Sequence, residues 1–211
     1  MLNEWIQSLM KRHSHDRTII GIDGLGVSGK TTLAQCIQRD LLDGSRQTVL
    51  IHLDDHIMPS SNRYGTGMPQ WREYYELHWD VIGLKSTLFD FLTSPHLLFH
   101  VPFYDKHTDR IIQKQLDVQQ DAVVLVEGVF LQRPEWIGYF DAVIFVDCPF
   151  PIRKRRVISR DGYLGNESEI LKAYQNRYWP AEDYYMATMR PMEHAIIYHI
   201  NDEWSEFPCD D

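Results

Sequence analysis

Short apolar runs rich in β-branched residues recur along the chain and indicate buried strands. Four of them end in an acidic residue and cover residues 18–23, 49–54, 122–127 and 142–147. A continuous apolar run of this length is typical of a strand that is buried on both faces of a sheet. A fifth run, at residues 195–200, is expected to close the sheet near the C-terminus.

Segments with helical periodicity alternate with these strands, most clearly at residues 30–42, 81–92 and 152–161. This alternation predicts an α/β fold with a parallel central sheet flanked by helices. Right-handed crossovers place the carboxyl ends of such strands at one edge, where open α/β sheets bind ligands. The acids that end the strands are therefore expected together at that edge: Asp23, Asp54, Glu127 and Asp147.

Two segments do not follow this alternation. Residues 59–80 are turn-rich and aromatic, and their spacing predicts no regular element. Residues 97–118 contain two extended segments around a polar turn at 105–110, which predicts a hairpin beside the ligand edge. We expect a single domain over residues 1–211, with a helical lid at about 150–180 and an insertion at about 56–118.

Composition and charge exclude several classes of protein. The 211 residues are 44% hydrophobic and 24% charged, as in an ordinary globular domain. The formal charge of −9 argues against sequence-independent binding to nucleic acid or to an anionic membrane. Acids without bases in the last eleven residues predict a solvated end. Because no apolar stretch reaches about eighteen residues and no signal peptide is evident, we expect a soluble cytoplasmic protein.

The turn after the first predicted strand carries a phosphate-binding motif. The residues from Gly24 to Thr31 fit G-x-x-x-x-G-K-[ST], with a predicted strand before them and a helix after them. The glycines let backbone N–H groups point at phosphate oxygens, and the helix adds its positive end. Lys30 is expected to reach the β- and γ-phosphates, and Thr31 to bind Mg²⁺. The alternative is a glycine turn before an ordinary helix. The expected nucleotide ligands are Gly24, Gly26, Val27, Ser28, Gly29, Lys30, Thr31 and Thr32.

A phosphate loop is compatible with phosphoryl transfer, hydrolysis or switching. The guanine-reading N-K-x-D motif is absent, which argues against a GTPase switch. Transfer requires a group that activates a hydroxyl, and Asp54 is our candidate for this base. Its alternative role is that of a carboxylate serving Mg²⁺. Glu127 suits the Mg²⁺ site and equally suits an acid that caps a strand.

Basic residues are concentrated in one predicted helix, at positions 153–156 and 160. Arg153, Arg156 and Arg160 share one helical face because they are three and four residues apart. Such a face can hold a triphosphate and offset charge as the phosphoryl group moves. We assign Arg153 to nucleotide binding, and Arg156 and Arg160 to catalysis. The alternative is a solvated, salt-bridged helix surface.

These motifs together resemble the uridine kinase family, whose relatives include nicotinamide riboside kinase, pantothenate kinase and phosphoribulokinase. The matching segments keep their order over about residues 17–200, and they are Gly21 to Thr32, Asp54-Asp55, Val126-Glu127-Gly128, and Arg153 to Asp161. The resemblance implies a P-loop kinase fold with a helical lid. It also implies ATP and Mg²⁺ as cofactors and a small hydroxyl-bearing metabolite as acceptor.

The resemblance also implies roles for single residues. Asp54 matches the catalytic base, and Lys30 and Thr31 match the phosphate and magnesium residues. Trp79-Asp80 resembles the place where nucleoside kinases hold ribose hydroxyls, so Asp80 is an expected sugar ligand.

The predicted hairpin resembles the segment P-x-Y-D-F-x-x-H-x-R, which surrounds the base in uridine kinases. The implied substrate contacts are Tyr104, Asp105, His107 and Arg110. Lys106 stands in place of the aromatic residue, and the interval to the arginine is one residue shorter. The match therefore does not identify uridine as the phosphoryl acceptor.

The predicted function is that of an ATP- and Mg²⁺-dependent kinase acting on a nucleoside or a similar metabolite. Its partner is a small-molecule acceptor, and a homo-oligomer is left open. One alternative is a kinase for another acceptor, such as pantothenate, a sugar or a vitamin riboside. Another is a regulatory protein that binds ATP without turnover. The aromatic residues of the segment 59–80 can stack on a base, although packing in the core is favoured.

Overall fold

The computed structural model describes residues 2–12, 16–41 and 46–200. The acidic end predicted to be solvated lies outside these residues. The strands are β1 (Thr18–Gly24), β2 (Thr48–His52), β3 (Leu98–Asp105), β4 (Arg110–Asp117), β5 (Val123–Glu127), β6 (Ala142–Asp147) and β7 (Ile196–His199). The helices are α1 (Leu2–Arg12), α2 (Lys30–Leu41), α3 (Ser60–Arg63), α4 (Gln70–Leu77), α5 (Val81–Leu84), α6 (Asp90–Leu92), α7 (Phe150–Arg160), α8 (Glu167–Ala173) and α9 (Trp179–Met189). Short π-helical segments, Lys85–Phe89 and Tyr174–Tyr178, join α5 to α6 and α8 to α9.

The strands predicted from the apolar runs form one parallel sheet. Its order within the described residues is β2-β5-β1-β6-β7, and each neighbouring pair is parallel. Every residue of β1 and β5 is buried, because helices cover both faces of the sheet. This explains why their sequences are continuously apolar rather than alternating. The predicted fold class is confirmed.

The second strand ends earlier than the sequence indicates. We predicted a strand through residue 54, but β2 ends at His52 and a 3₁₀ turn follows at Leu53–His56. Leu53 is fully buried, and its carbonyl accepts a hydrogen bond of 3.0 Å from the indole of Trp79. These contacts hold the chain in a turn, so Asp54 lies just beyond the strand.

Hydrophobic side chains pack on both faces of the sheet. On one face, Ile6 of α1 and Leu33 and Ile37 of α2 pack against β1 and β5. On the other face, Trp136 and Tyr185 belong to a larger cluster that includes the helices after β2. The clusters leave the carboxyl edge of the sheet open to the site described below.

The predicted hairpin is present as the antiparallel pair β3–β4, which forms its own sheet. Phe99 stacks on Phe91 with ring centroids 5.3 Å apart, which fixes the base of the hairpin. Arg17, just before β1, donates hydrogen bonds of 2.9 Å to the Phe91 carbonyl and 2.5 Å to the Val118 carbonyl. The hairpin is thereby tied to the amino end of the central sheet.

The aromatic segment 59–80, for which no element was predicted, forms α3 and α4. Tyr74, Tyr75 and Trp79 are buried in the core, as the packing interpretation expects, whereas Tyr64 is 46% exposed. The sequence of α4 gives little helical signal because its buried face is made of aromatic and charged residues. No helix in the described ranges has the length and apolar character needed to cross a membrane.

Candidate active site

A cavity of about 1100 Å³ opens at the carboxyl edge of the sheet. Its walls come from the phosphate loop, the turn after β2, the end of β5, and the helices α3, α4, α7 and α9. Residues 26–32 of the loop line one side, and Asp54 and Glu127 line the floor. The cavity therefore brings the loop and two of the predicted carboxylates together.

The phosphate loop has the backbone shape that its glycines were predicted to allow. Gly24 has φ +149°, and a Cβ there would lie 2.8 Å from the Val146 carbonyl oxygen, so a side chain is excluded on both grounds. Val27 has φ 55°, a left-handed conformation that is uncommon for a β-branched residue. Gly24 itself does not line the cavity, whereas Gly26, Val27, Ser28, Gly29 and Thr32 do.

Lys30 is buried at the base of the loop, where its ammonium donates a hydrogen bond of 2.9 Å to the Leu25 carbonyl. Burial lowers the pKa of Lys30, and the nearby carboxylates of Glu127 and Asp54 oppose that shift. A nucleotide phosphate would add negative charge beside this ammonium and favour its protonated form.

A row of hydrogen bonds joins the N-terminus of α2 to the carboxyl ends of β5 and β2. It consists of Thr31, Glu127 and His52. The Thr31 hydroxyl donates to the carboxylate of Glu127 at 3.1 Å, and His52 Nδ1 lies 2.7 Å from the same oxygen. That hydrogen bond raises the pKa of His52, so the ring is positioned as a donor to Glu127.

Asp54 faces the cavity from the 3₁₀ turn after β2 and accepts no hydrogen bond from any described residue. Asp54 is exposed to water in the cavity, and protein atoms form the walls around it. Desolvation and the negative charge of Glu127 raise the pKa of Asp54, and Lys30 and Arg160 oppose the rise. Asp55 does not line the cavity, which favours Asp54 over its neighbour as the candidate base.

The oxygen donors present fit a magnesium ion held partly by phosphates. Thr31, Glu127 and Asp54 offer one hydroxyl and two carboxylates at one cavity. Among the described residues, no group of three or more His, Cys, Asp or Glu side chains forms a complete metal site. Mg²⁺ commonly uses one or two carboxylates together with substrate phosphates, so this sparse donor set suits it.

Arg153 does not line the cavity, although the sequence analysis assigned it to the nucleotide. It is buried and pairs with Glu182 of α9 at 2.7 Å. The same carboxylate accepts a hydrogen bond of 2.7 Å from the Gly26 N–H. Burial raises the pKa of Glu182, and Arg153 opposes this shift. Arg153 and Glu182 thus connect α7 and α9 to the phosphate loop.

Two of the predicted arginines do reach the cavity. Arg156 donates to the carbonyls of Val27 and Ser28 at 3.3 and 3.2 Å, so its guanidinium lies against the phosphate loop. Arg160 lines the cavity with a side chain that is 60% exposed, and it pairs with Asp161 at 2.8 Å. This pairing raises the pKa of Arg160 above its already high value. Arg155, which we had not assigned, also lines the cavity.

Two of the four strand-ending acids lie away from the cavity. Asp23 is fully buried, and it accepts hydrogen bonds from Gln132 at 3.0 Å and from the Tyr185 hydroxyl at 2.5 Å. Asp147 lies 3.0 Å from His199 of β7. Asp23 and Asp147 therefore stand at the carboxyl ends of β1 and β6, as expected, but each is occupied by a neighbouring side chain and neither lines the cavity.

The acceptor residues implied by the resemblance do not line the cavity either. Asp80 caps the N-terminus of α5, where its carboxylate accepts a hydrogen bond of 2.9 Å from the Gly83 N–H. Asp105 accepts hydrogen bonds within the hairpin turn, from the His107 N–H at 3.0 Å and the Thr108 hydroxyl at 2.7 Å. His107 and Arg110 are exposed. Tyr104 alone is joined to the cavity wall, through Arg63 at 3.4 Å.

The sequence analysis assigned no site residue to one further part of the cavity wall. This part is formed by Arg63, Tyr64, Tyr74, His78, Tyr174 and Tyr178. The first four lie within residues 63–78 and the last two within residues 174–178, more than 90 residues further along the chain, so no local spacing indicates that they meet. The aromatic richness of segment 59–80 is the signal that could have drawn attention to them.

The strand–loop–helix arrangement, with a basic lid helix over a parallel sheet, is that of a P-loop kinase. No family model matches the sequence. A solved structure from Bacillus stearothermophilus, described as a possible uridine kinase, is 36% identical, with 93% of this chain and 98% of that chain covered and a TM-score of 0.73. The uridine kinase of Leuconostoc citreum strain KM20 is 26% identical over 185 residues, 85% of this chain and 80% of that protein.

The fold is shared more widely. D-glycerate 3-kinase from Cryptococcus neoformans var. grubii superposes with a TM-score of 0.61 at 14% identity, covering 86% of each chain. The chain belongs to the uridine kinase-like family of P-loop kinases and is an ATP-dependent kinase.

Proposed function

We propose that the protein transfers the γ-phosphate of ATP, with Mg²⁺, to a hydroxyl of a small metabolite, and that a nucleoside is the first candidate acceptor. The observation that carries the proposal is that Asp54, unpaired among the described residues, faces the same cavity as the phosphate loop. A loop without such a carboxylate would support nucleotide binding alone.

The donor side of the cavity provides positive charge for a triphosphate. Backbone N–H groups of the loop and the N-terminus of α2 would hold the phosphates, together with Lys30 from the base of the loop. Arg156 and Arg160 supply further charge from α7. Because these groups are fixed before the reaction, they stabilise the developing charge without reorganising.

Asp54 is the proposed general base. Its carboxylate would accept the proton of the attacking hydroxyl and align that oxygen with the γ-phosphate. A carboxylate that already had protein donors would be a weaker base, so the lack of described hydrogen-bond partners favours this role. The raised pKa of Asp54 acts in the same direction.

Magnesium would be held by the Thr31 hydroxyl and by Glu127, with Asp54 close enough to contribute. Bound there, the ion would supply positive charge that offsets the charge of the phosphates. His52 orients Glu127 through their 2.7 Å contact, which keeps one carboxylate oxygen fixed beside Thr31.

Two observations bear on the identity of the acceptor, and they favour different candidates. The relatives named as uridine kinases support a nucleoside. Asp80, the residue expected to hold ribose hydroxyls, instead caps α5 outside the cavity. That placement favours a second candidate, a hydroxylated metabolite without a ribose.

The test is the variant Asp54→Asn, with Asp55→Asn as the matched control. Turnover is followed by ADP release with uridine, cytidine, nicotinamide riboside, pantothenate and glycerate as acceptors, and ATP binding by calorimetry. We expect Asp54→Asn to lower kcat about 100-fold or more with ATP affinity retained, since a general base contributes about 10²–10⁴-fold. Asp55→Asn is expected to stay within about threefold, because its side chain does not line the cavity.

A fall of less than about tenfold in Asp54→Asn would remove Asp54 from the role of base. Negligible turnover of every acceptor, together with intact binding of Mg²⁺-ATP, would instead support the regulatory alternative.

A further inference from the structure

The acceptor side of the cavity contains a buried cation without an ion pair. Arg63 is 7% exposed, lines the cavity, and pairs with no carboxylate among the described residues. Two other buried arginines have ion pairs, since Arg177 pairs with Glu73 at 3.2 Å and Arg153 with Glu182 at 2.7 Å. The buried Arg17 has no ion pair, but its guanidinium donates six hydrogen bonds to backbone carbonyls, whereas Arg63 donates one, to a tyrosine hydroxyl. Burying a charged group is unfavourable unless a partner compensates it, so Arg63 requires an explanation.

Arg63 is held in place by its surroundings. Its guanidinium lies 5.2 Å from the ring centroids of both Tyr64 and Tyr104, and it donates a 3.4 Å hydrogen bond to the Tyr104 hydroxyl. That hydroxyl donates in turn to Asp109 at 2.9 Å. The Arg63 carbonyl accepts a hydrogen bond of 3.0 Å from Arg177. The contacts fix the position of the cation. Asp109 lies beyond the tyrosine, where its charge interacts with Arg63 but forms no ion pair with it.

Polar atoms at this position are left without partners. Arg63 Nε is buried and has no hydrogen-bond partner, and neither has His78 Nδ1. His78 is 8% exposed and also lines the cavity. Burial, together with the charges of Arg63 and Arg177, places the pKa of His78 well below its ordinary value, so the ring is neutral near pH 7. Buried polar groups in native proteins are normally satisfied, and these two border a cavity that a substrate can enter.

The charge balance indicates which ligand fits. One unpaired guanidinium beside a neutral imidazole provides a single positive charge, which matches a monoanion better than a phosphate dianion. A guanidinium edge presents N–H groups in a planar fork that suits the two oxygens of a carboxylate. The triphosphate donor has its own cations at the loop and on α7.

We propose that Arg63 and His78 bind a carboxylate of the phosphoryl acceptor, so that the substrate class is a hydroxylated carboxylic acid. The inference rests on the proposed function, and it narrows the acceptor within it. Arg63 orients the substrate through its anionic end while the hydroxyl at the other end is presented to Asp54.

The experiment compares acceptors that differ in a carboxylate. D-glycerate against glycerol and pantothenate against panthenol form matched pairs, with uridine as the neutral nucleoside. Rates are measured by ADP release in the native protein, Arg63→Lys, Arg63→Met and the control Arg72→Met. Arg72 belongs to α4 but is exposed and pairs with Glu76, outside the cavity. Thermal unfolding and ATP calorimetry establish that each variant is folded and binds nucleotide.

For the native protein and Arg72→Met, we expect kcat/KM for the carboxylate member of at least one pair to exceed that of its neutral partner by about 30-fold or more, in line with a charged hydrogen bond. Arg63→Met is expected to reduce this preference to less than about threefold, mainly through KM, with unchanged ATP affinity. Arg63→Lys is expected to retain part of the preference because it keeps the charge but not the fork.

Two results would overturn the inference while leaving the kinase assignment in place. The first is a neutral nucleoside as the best acceptor, with its KM unaffected in Arg63→Met. The second is an equal loss with carboxylate and neutral acceptors in Arg63→Met. If no acceptor is turned over, the proposed function fails, and calorimetry with D-glycerate and pantothenate decides the inference. Binding of either acid that is lost in Arg63→Met supports the carboxylate site, whereas no binding rejects it.

Discussion

The buried pair between Glu182 and Arg153 provides a quantitative test of how the lid supports the phosphate loop. Their side chains are 4% and 7% exposed, and Glu182 holds both the guanidinium and the Gly26 N–H at 2.7 Å. In Glu182→Gln the amide oxygen can still accept from Gly26. Arg153 loses its charged partner, however, and no other carboxylate among the described residues pairs with it.

Removing one partner of a buried ion pair costs about 3–5 kcal/mol, because the remaining charge is left uncompensated. For a chain of this size each kcal/mol lowers Tm by about 2–4 °C, so the expected fall is about 6–20 °C. The matched control is Glu76→Gln, which breaks the 2.8 Å pair with Arg72, whose side chains are 36% and 46% exposed. An exposed pair of this kind contributes about 0–1 kcal/mol.

The assays are thermal unfolding for Tm, urea unfolding for the free energy of unfolding, and calorimetric determination of the ATP affinity. The double variant Glu182→Leu with Arg153→Met removes both charges and is expected to recover part of the loss seen in Glu182→Gln. ATP affinity is expected to fall in Glu182→Gln, because the carboxylate positions the loop. A loss of stability below about 1 kcal/mol in Glu182→Gln, close to that of Glu76→Gln, would refute the reasoning.

Two further predictions concern other buried polar groups. Tyr185→Phe removes hydrogen bonds of 2.5 Å to Asp23 and 3.1 Å from the Gln132 N–H, and we expect it to reduce the free energy of unfolding by about 1–3 kcal/mol in urea. Tyr163→Phe, at a side chain that is 78% exposed, is the control, and an equal effect of both would contradict the prediction. His78, whose pKa burial, Arg63 and Arg177 hold well below its ordinary value, takes up a proton on unfolding below about pH 6.5. His78 therefore makes the free energy of unfolding decrease as the pH falls, by up to about 1.4 kcal/mol per pH unit. In His78→Phe, we expect a smaller dependence of the free energy of unfolding on pH, measured in urea between pH 7 and pH 5. An unchanged slope would show that His78 does not carry the effect.

Local sequence determines the central sheet and the phosphate loop, which explains why both could be predicted. The strands buried on both faces are apolar at most positions. Glycine occupies two of the three positive-φ positions of the loop, Gly24 and Gly29, and Val27 occupies the third. Gly24, with φ +149°, is an example in which one residue type fits one conformation. The hairpin was equally accessible, because its turn residues separate two extended segments of equal length.

The acceptor side could not be predicted because its partners are far apart in the chain. Arg177 contacts Glu73 and the Arg63 carbonyl across 104 and 114 residues. No periodicity within α3 or α4 shows that Arg63 and the neighbouring His78 are buried. The position of Asp80, in contrast, can be inferred from nearby residues. An aspartate directly before a helical run is a typical N-cap residue.

The order of the strands accounts for the separation of the two chemical functions in the site. The phosphate loop follows β1 and Asp54 follows β2, and β5 lies between them. Adjacent strands are about 4.8 Å apart, so the ends of β1 and β2 are roughly 10 Å apart. Under the proposed function, that distance leaves room for a phosphoryl group and an ion between the loop and Asp54. Glu127, which ends the intervening strand, would hold the ion there. The proposed acceptor would then extend from Asp54 toward Arg63, since both side chains line the same cavity.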